Sequence, residues 1–202
     1  MLLLNAFIPY MMAAVNLAIL LLNRIRVAIA LLVVQYLLAF AVSFSTQPLR
    51  TILARLIGGL LVCLILYTSQ HRFSRGLTFI HADALPRSTW FRLITSLIVV
   101  LVAIAIASQN QQIPTTFEAN IFLGAVINLC MGALMVGLYQ TPLEAAIGLL
   151  TLLIGFDLFY GAIEPSLAIV ALLISIQVII ALATSYIMSI THNQVLQEET
   201  GS

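Results

Sequence analysis

The sequence contains no lysine: all eight of its basic residues are arginine, and seven acids leave a net charge of +1. Charged residues make up only 7% of the chain, against the roughly 25% of an average soluble domain. That scarcity excludes a charged, water-facing exterior, and the near-zero balance offers nucleic acid no basic surface. Cysteine is equally sparse. Cys63 and Cys130 lie inside apolar runs without a CxxC partner, so they read as small packing residues rather than a disulfide or a metal site. The three histidines, His71, His81 and His192, fall outside the apolar runs. His71 and His81 share a loop where only Asp83 could join them, which is too few ligands for a metal. No phosphate loop, nucleophile elbow, zinc motif or histidine pair suited to haem is present. We therefore expect no catalytic residue, no metal, no cofactor and no enzyme activity belonging to this chain alone.

What the chain has instead is hydrophobic residues, 62% of the total, in long runs. Each run approaches the ~20 residues that carry a helix across a hydrocarbon core. Lipid offers backbone amides no partners, so only helices or closed barrels can cross it, and these runs are too long and uniform for alternating barrel strands. The expected fold class is an all-α integral membrane protein of about seven transmembrane helices. The runs cover residues 2–22, 27–44, 51–67, 90–108, 117–139, 141–163 and 165–190. The first has no basic n-region and no small-residue cleavage site, so it is expected to be a retained helix; without it the spans would number six.

Thr141-Pro142-Leu143-Glu144 reads as a helix start, with a capping threonine, a first-turn proline and a glutamate three residues on. Glu164-Pro165 does similar work, so the last three helices should form a tight helical-hairpin unit. The expected organisation is a three-helix group over 1–70, an interfacial loop over 71–89, a four-helix group over 90–190 and a frayed polar tail over 191–202. With seven spans, Arg24, Arg26, Arg72, Arg75, Arg87 and Arg92 share one side, and Arg50 and Arg55 the other. The positive-inside rule then puts the N-terminus outside and the C-terminus in the cytoplasm of a plasma (inner) membrane. Arg72 and Arg75 sit among aromatics, and Trp90 opens the next helix, as expected of residues in the headgroup layer. That loop reads as an interfacial anchor or as a site for anionic lipid.

Polar side chains at membrane depth are the functional candidates. Gln35, Asn128 and Gln177 lie near the middle of their runs, and Asn5 and Asn16 lie in the first. Two readings stand for these amides: interhelical hydrogen bonds, or hydrated positions along an ion path. Gly124, Asn128 and Gly132 recur every four residues and should make one smooth face; Gly148 and Gly155 offer another. Asp157 lies nearer the outer end of the sixth run, among aromatics, with no arginine in the last two helices to pair with it. It reads as an interface anchor or as a buried functional carboxylate.

Gly137-Leu138-Tyr139-Gln140-Thr141, Ile147-Gly148-Leu149-Leu150 and Ser175-Ile176-Gln177-Val178-Ile179-Ile180-Ala181-Leu182-Ala183 together resemble the small three-helix K-type subunit of respiratory complex I. Related subunits occur in Mrp-type antiporters and energy-converting membrane hydrogenases, the latter with extra N-terminal helices. The resemblance implies a non-catalytic membrane subunit that packs beside larger antiporter-like subunits of an ion-translocating, proton- or sodium-pumping assembly. Its expected partners are other integral membrane subunits and the lipid bilayer. The family's mid-membrane glutamates are replaced here by Leu149 or Leu150 and by Gln177, and the basic pair of its inner turn by Thr141-Pro142. The alternatives are a stand-alone small transporter and a membrane scaffold or assembly factor.

The topology is testable by cysteine labelling at Ser202 and at the N-terminus. Seven spans place the two labels on opposite sides of the membrane; labels accessible from one side would refute that count.

Overall fold

The computed structural model describes residues 2–22, 24–44, 47–73, 89–109, 119–139, 141–163 and 166–200, without the side chains of 2–6, 72–73, 89, 109 and 191–200. These residues form seven helices and, among the described residues, no strand: α1 (Leu2–Leu21), α2 (Ile25–Ser43), α3 (Leu49–Phe73), α4 (Thr89–Gln109), α5 (Ala119–Leu138), α6 (Pro142–Ile163) and α7 (Leu167–Thr200). Six of them are long and apolar enough to cross a membrane, and α1 contributes a shorter apolar stretch, Phe7–Leu21. The chain is an all-α multi-pass membrane protein.

Helix ends follow local chemistry. At α6 the Glu144 amide donates to Thr141 Oγ1 at 3.3 Å, the cap expected from the sequence. Two ends differ from expectation. Helix α3 runs on to Phe73 instead of closing near Tyr67, and α7 continues to Thr200, so the tail expected to fray is helical. The polarity change marks where hydrocarbon should end, not where a helix must. Thr68 supports the extension of α3 by donating to Leu64 and Ile65 carbonyls at 2.9 and 3.0 Å. Beyond Ile190 the sequence has neither glycine nor proline until Gly201, so nothing local breaks the helix. Arg75 and the Arg72 side chain lie outside the described residues; Trp90, in the first turn of α4, is 74% exposed.

The two groups of helices share one core. Helices α5 and α6 have the most extensive contact, α7 packs chiefly on α3, α1 lies on α2 and α5, and α2 also touches α3 and α6. One cluster of buried side chains joins them, from Met12 and Ile19 through Leu32 and Leu66 to Met131, Met135 and Leu150. Helix α4 packs on α5 and α1 at the edge of the bundle, with only 11% of its span buried.

Glycine sets the closest approach. A Cβ on Gly132 would fall against the Leu152 backbone, with Cα at 2.6 Å; one on Gly148 would lie 2.9 Å from the Val136 nitrogen, and one on Gly155 2.6 Å from the Leu129 nitrogen. The glycines of α5 and α6 thus face each other's backbones. Gly124 departs from the single face expected of α5, because its nearest neighbour is Met12 Sδ on α1, at 3.2 Å. At ~100° per residue a four-residue step overshoots a turn by ~40°, so Gly124 and Gly132 point ~80° apart. Asn128 stands between them, turned toward α1 and α2.

Gly132→Leu should force α5 and α6 apart and cost about 3 kcal/mol or more, beyond ordinary overpacking, because backbone rather than a side-chain tip blocks the new atoms. Gly137, with nothing within 4 Å of its Cβ position, is the control. Folded yield in detergent should fall for Gly132→Leu and stay level for Gly137→Ala.

Candidate functional site

The buried amides meet. Asn128 on α5 accepts at Oδ1 from Asn16 Nδ2 on α1 at 2.8 Å and also from Gln35 Nε2 on α2. Its own amide nitrogen donates to the Gly124 carbonyl at 2.9 Å and approaches Met12 Sδ at 3.6 Å. Asn16, Gln35 and Asn128 are all fully buried. One carbonyl oxygen therefore ties three helices together at the centre of the bundle. Asn16 Oδ1 and Gln35 Oε1 have no donor among the described residues. None of these groups exchanges a proton near neutral pH, so the cluster can orient and bind but cannot carry a proton.

Next to Gln35 along α2, Tyr36 turns toward α7, and its hydroxyl donates to Gln177 Oε1 at 3.2 Å. Its ring lies against Gly59 of α3, where any Cβ would overlap it. Gln177 is thus held by α2 and is 3% exposed.

Asp157 has a partner that the sequence reading did not supply. Arg55 of α3 brings Nε to 3.0 Å from Asp157 Oδ2, with the two side chains 12% and 14% exposed. The Arg55 guanidinium lies over Gly161 of α6, at a position that a side chain would occupy, and Nη1 donates to Gln47 Oε1 at 2.6 Å. Asp157 is therefore one half of a largely buried ion pair. Geometry explains the pairing: Arg55 lies one to two turns into α3 and Asp157 a similar distance from the end of α6, so both stand at one end of the bundle. A cleft between α2, α3 and α6 opens beside the pair, lined by Tyr36, Phe40, Ser43, Arg55, Leu56 and Asp157 among others. Desolvating both charges is costly, and each is tolerated because the other is there.

At the opposite end of the bundle, Tyr139 follows α5 and donates its hydroxyl to the Ile19 carbonyl in the last turn of α1 at 3.1 Å, where helix carbonyls run short of intrahelical donors. Arg92 sits 5.9 Å above its ring. Burial, reinforced by the Glu144 carboxylate and opposed by Arg92, holds the Tyr139 phenol above its ordinary range, so it stays a donor.

Of the residues singled out from sequence, Gln35 and Asn128 are brought into direct contact, Gln177 is joined through Tyr36, and Asp157 stands on the cleft that Tyr36 lines. Asn16, Tyr36, Gln47, Arg55 and Gly161 complete these arrangements. Arg55 had a readable signal: it and Asp157 are charged residues of opposite sign set about six residues into apolar helices on the same expected side.

Asn128→Leu should cost more than Asn16→Leu, because it strands two donors rather than one interaction. At ~0.6–2 kcal/mol per interhelical bond, the expected difference is about 1–2 kcal/mol, read from thermal unfolding in detergent.

No protein-family model matches the chain, and no curated protein and no solved structure matches it.

Proposed function

We propose that this chain is a non-catalytic membrane subunit of a larger complex, of the kind the K-type resemblance implies, packed beside antiporter-like subunits. The observation that carries the reading is the amide junction at Asn128. The core's central polar groups are amides bonded to one another across α1, α2 and α5, which suits a part that holds helices in place and supplies no mid-membrane proton carrier. The sparse burial of α4 leaves a long apolar flank on which a larger membrane subunit could sit beside lipid. The arginine bias favours an N-terminus outside and a C-terminus in the cytoplasm of a plasma membrane.

A second reading, a stand-alone transporter, draws on the Arg55–Asp157 pair and its adjoining cleft. Purification in mild detergent separates the two. Stable co-purification with large hydrophobic partners supports the subunit; a monodisperse lone chain with transport activity in liposomes supports the transporter.

Gln177→Leu should strand the Tyr36 hydroxyl and lower stability or assembly by ~1 kcal/mol, while ion pumping per intact complex stays unchanged. Asp157→Asn is the companion substitution, with pumping by reconstituted complex normalised to intact assembly. Loss of pumping with normal assembly in Asp157→Asn would move the translocating role to Asp157 and overturn the supporting role.

A further inference from the structure

Asp157 holds its ion pair through one oxygen only. Arg55 approaches Oδ2 with Nε and gives Nη1 to Gln47, so the two-pronged contact common between guanidinium and carboxylate is not made. Among the described residues, Asp157 Oδ1 is left as a buried acceptor without a donor, Gln47 Nε2 as a buried donor without an acceptor, and Arg55 Nε, though 3.0 Å from Oδ2, without a hydrogen bond. The first two are complementary in kind and are held by the same arginine. Buried polar groups in this state are ordinarily completed by water, provided there is room.

There is room. The cleft that Asp157 lines leaves about 20 Å³ in which the centre of a water-sized guest can lie, against the ~10–15 Å³ that one water requires. Its chemistry narrows the guest further. Oδ1 calls for a hydrogen-bond donor. Arg55 already neutralises Asp157, so a further cation would leave uncompensated charge in a low-dielectric setting, and an anion would face the carboxylate. A small neutral donor remains.

We propose that the α2–α3–α6 cleft is a binding site for a small neutral hydrogen-bond donor, filled by water, with Asp157 Oδ1 as its acceptor. The guest completes the half of the carboxylate that Arg55 does not reach. The site makes this end of the bundle wet inside. This inference stands independently of membership in a complex.

Radiolytic hydroxyl-radical footprinting of the full chain in its native membrane tests it, because radicals made from a held water oxidise the side chains around that water even where bulk solvent cannot reach. Tyr36 and Phe122 are almost equally shielded, at 6% and 7% exposure, but only Tyr36 lines the cleft. With water held there, Tyr36 should be oxidised about tenfold faster than Phe122, since held water is the radical source. Ala39→Leu places extra carbons in the cleft and should bring the Tyr36 rate down to that of Phe122. Equal rates at Tyr36 and Phe122 in the unsubstituted protein would overturn the proposal. So would fast oxidation of Tyr36 that a folded Ala39→Leu protein leaves unchanged. If that variant does not fold, the comparison within the unsubstituted protein decides alone.

Discussion

Hydrocarbon supplies no hydrogen bonds, so a polar group this chain carries into its spans must be satisfied by the protein itself or by water held inside it. The carbonyl of Asn128 is where that constraint binds hardest. Two donors from different helices converge on it, and its nitrogen is returned to its own helix at Gly124. Helices α1 and α2 are therefore positioned on α5 by specific bonds as well as by apolar contact, which lipid would satisfy equally well. The glycines work with this junction. Gly132, Gly148 and Gly155 let α5 and α6 meet backbone to backbone, and that rigid pair presents Asn128 to the first two helices. The hydroxyls of Thr151, Ser175 and Thr184 place no demand on neighbouring helices, because they donate to carbonyls four residues back on their own.

The spans themselves were legible because run length against bilayer thickness is a local property, written contiguously in the chain. That Gln35, Asn128 and Gln177 fall well inside their helices was legible for the same reason. Which of them touch was not. Asn16 and Asn128 are 112 positions apart, and no periodicity within either helix encodes the rotation that brings them together. Arg55 was read as a topological charge, since basic residues near helix ends ordinarily report orientation; its depth, matched with that of Asp157, was the unused clue. Gly161 and Gly59 gave no signal at all. Each matters because a particular large side chain, Arg55 or Tyr36, lies across it, and that is a property of the partner helix. The four-residue spacing on α5 was read as one face, and the angular drift of a real helix divided it between two neighbours.

The polar arrangement has two parts of different character. The amide junction is neutral, fully buried and built from short side chains, which suits a fixed joint. The Arg55–Asp157–Gln47 arrangement is charged, lies toward one end of the bundle and borders a cleft. Tyr36 connects them, following Gln35 on α2 while lining the cleft and bonding Gln177 on α7. A displacement of α2 would thus be felt by both parts, and its position is the coordinate that couples the bundle's centre to its charged end.

The pairing of Arg55 with Asp157 also has a consequence for biosynthesis. The two residues are separated by 102 positions (157 less 55), so α3 is synthesised well before its counter-charge exists. At ~5–20 residues per second of translation, Arg55 waits roughly 5–20 seconds for α6 to emerge. During that interval a guanidinium set into an apolar helix must remain near the headgroups or be sheltered by the insertion machinery. The ion pair that joins α3 to α6 can form only after α6 arrives. Synthesis of the second half of the chain thereby supplies the counter-charge to the first.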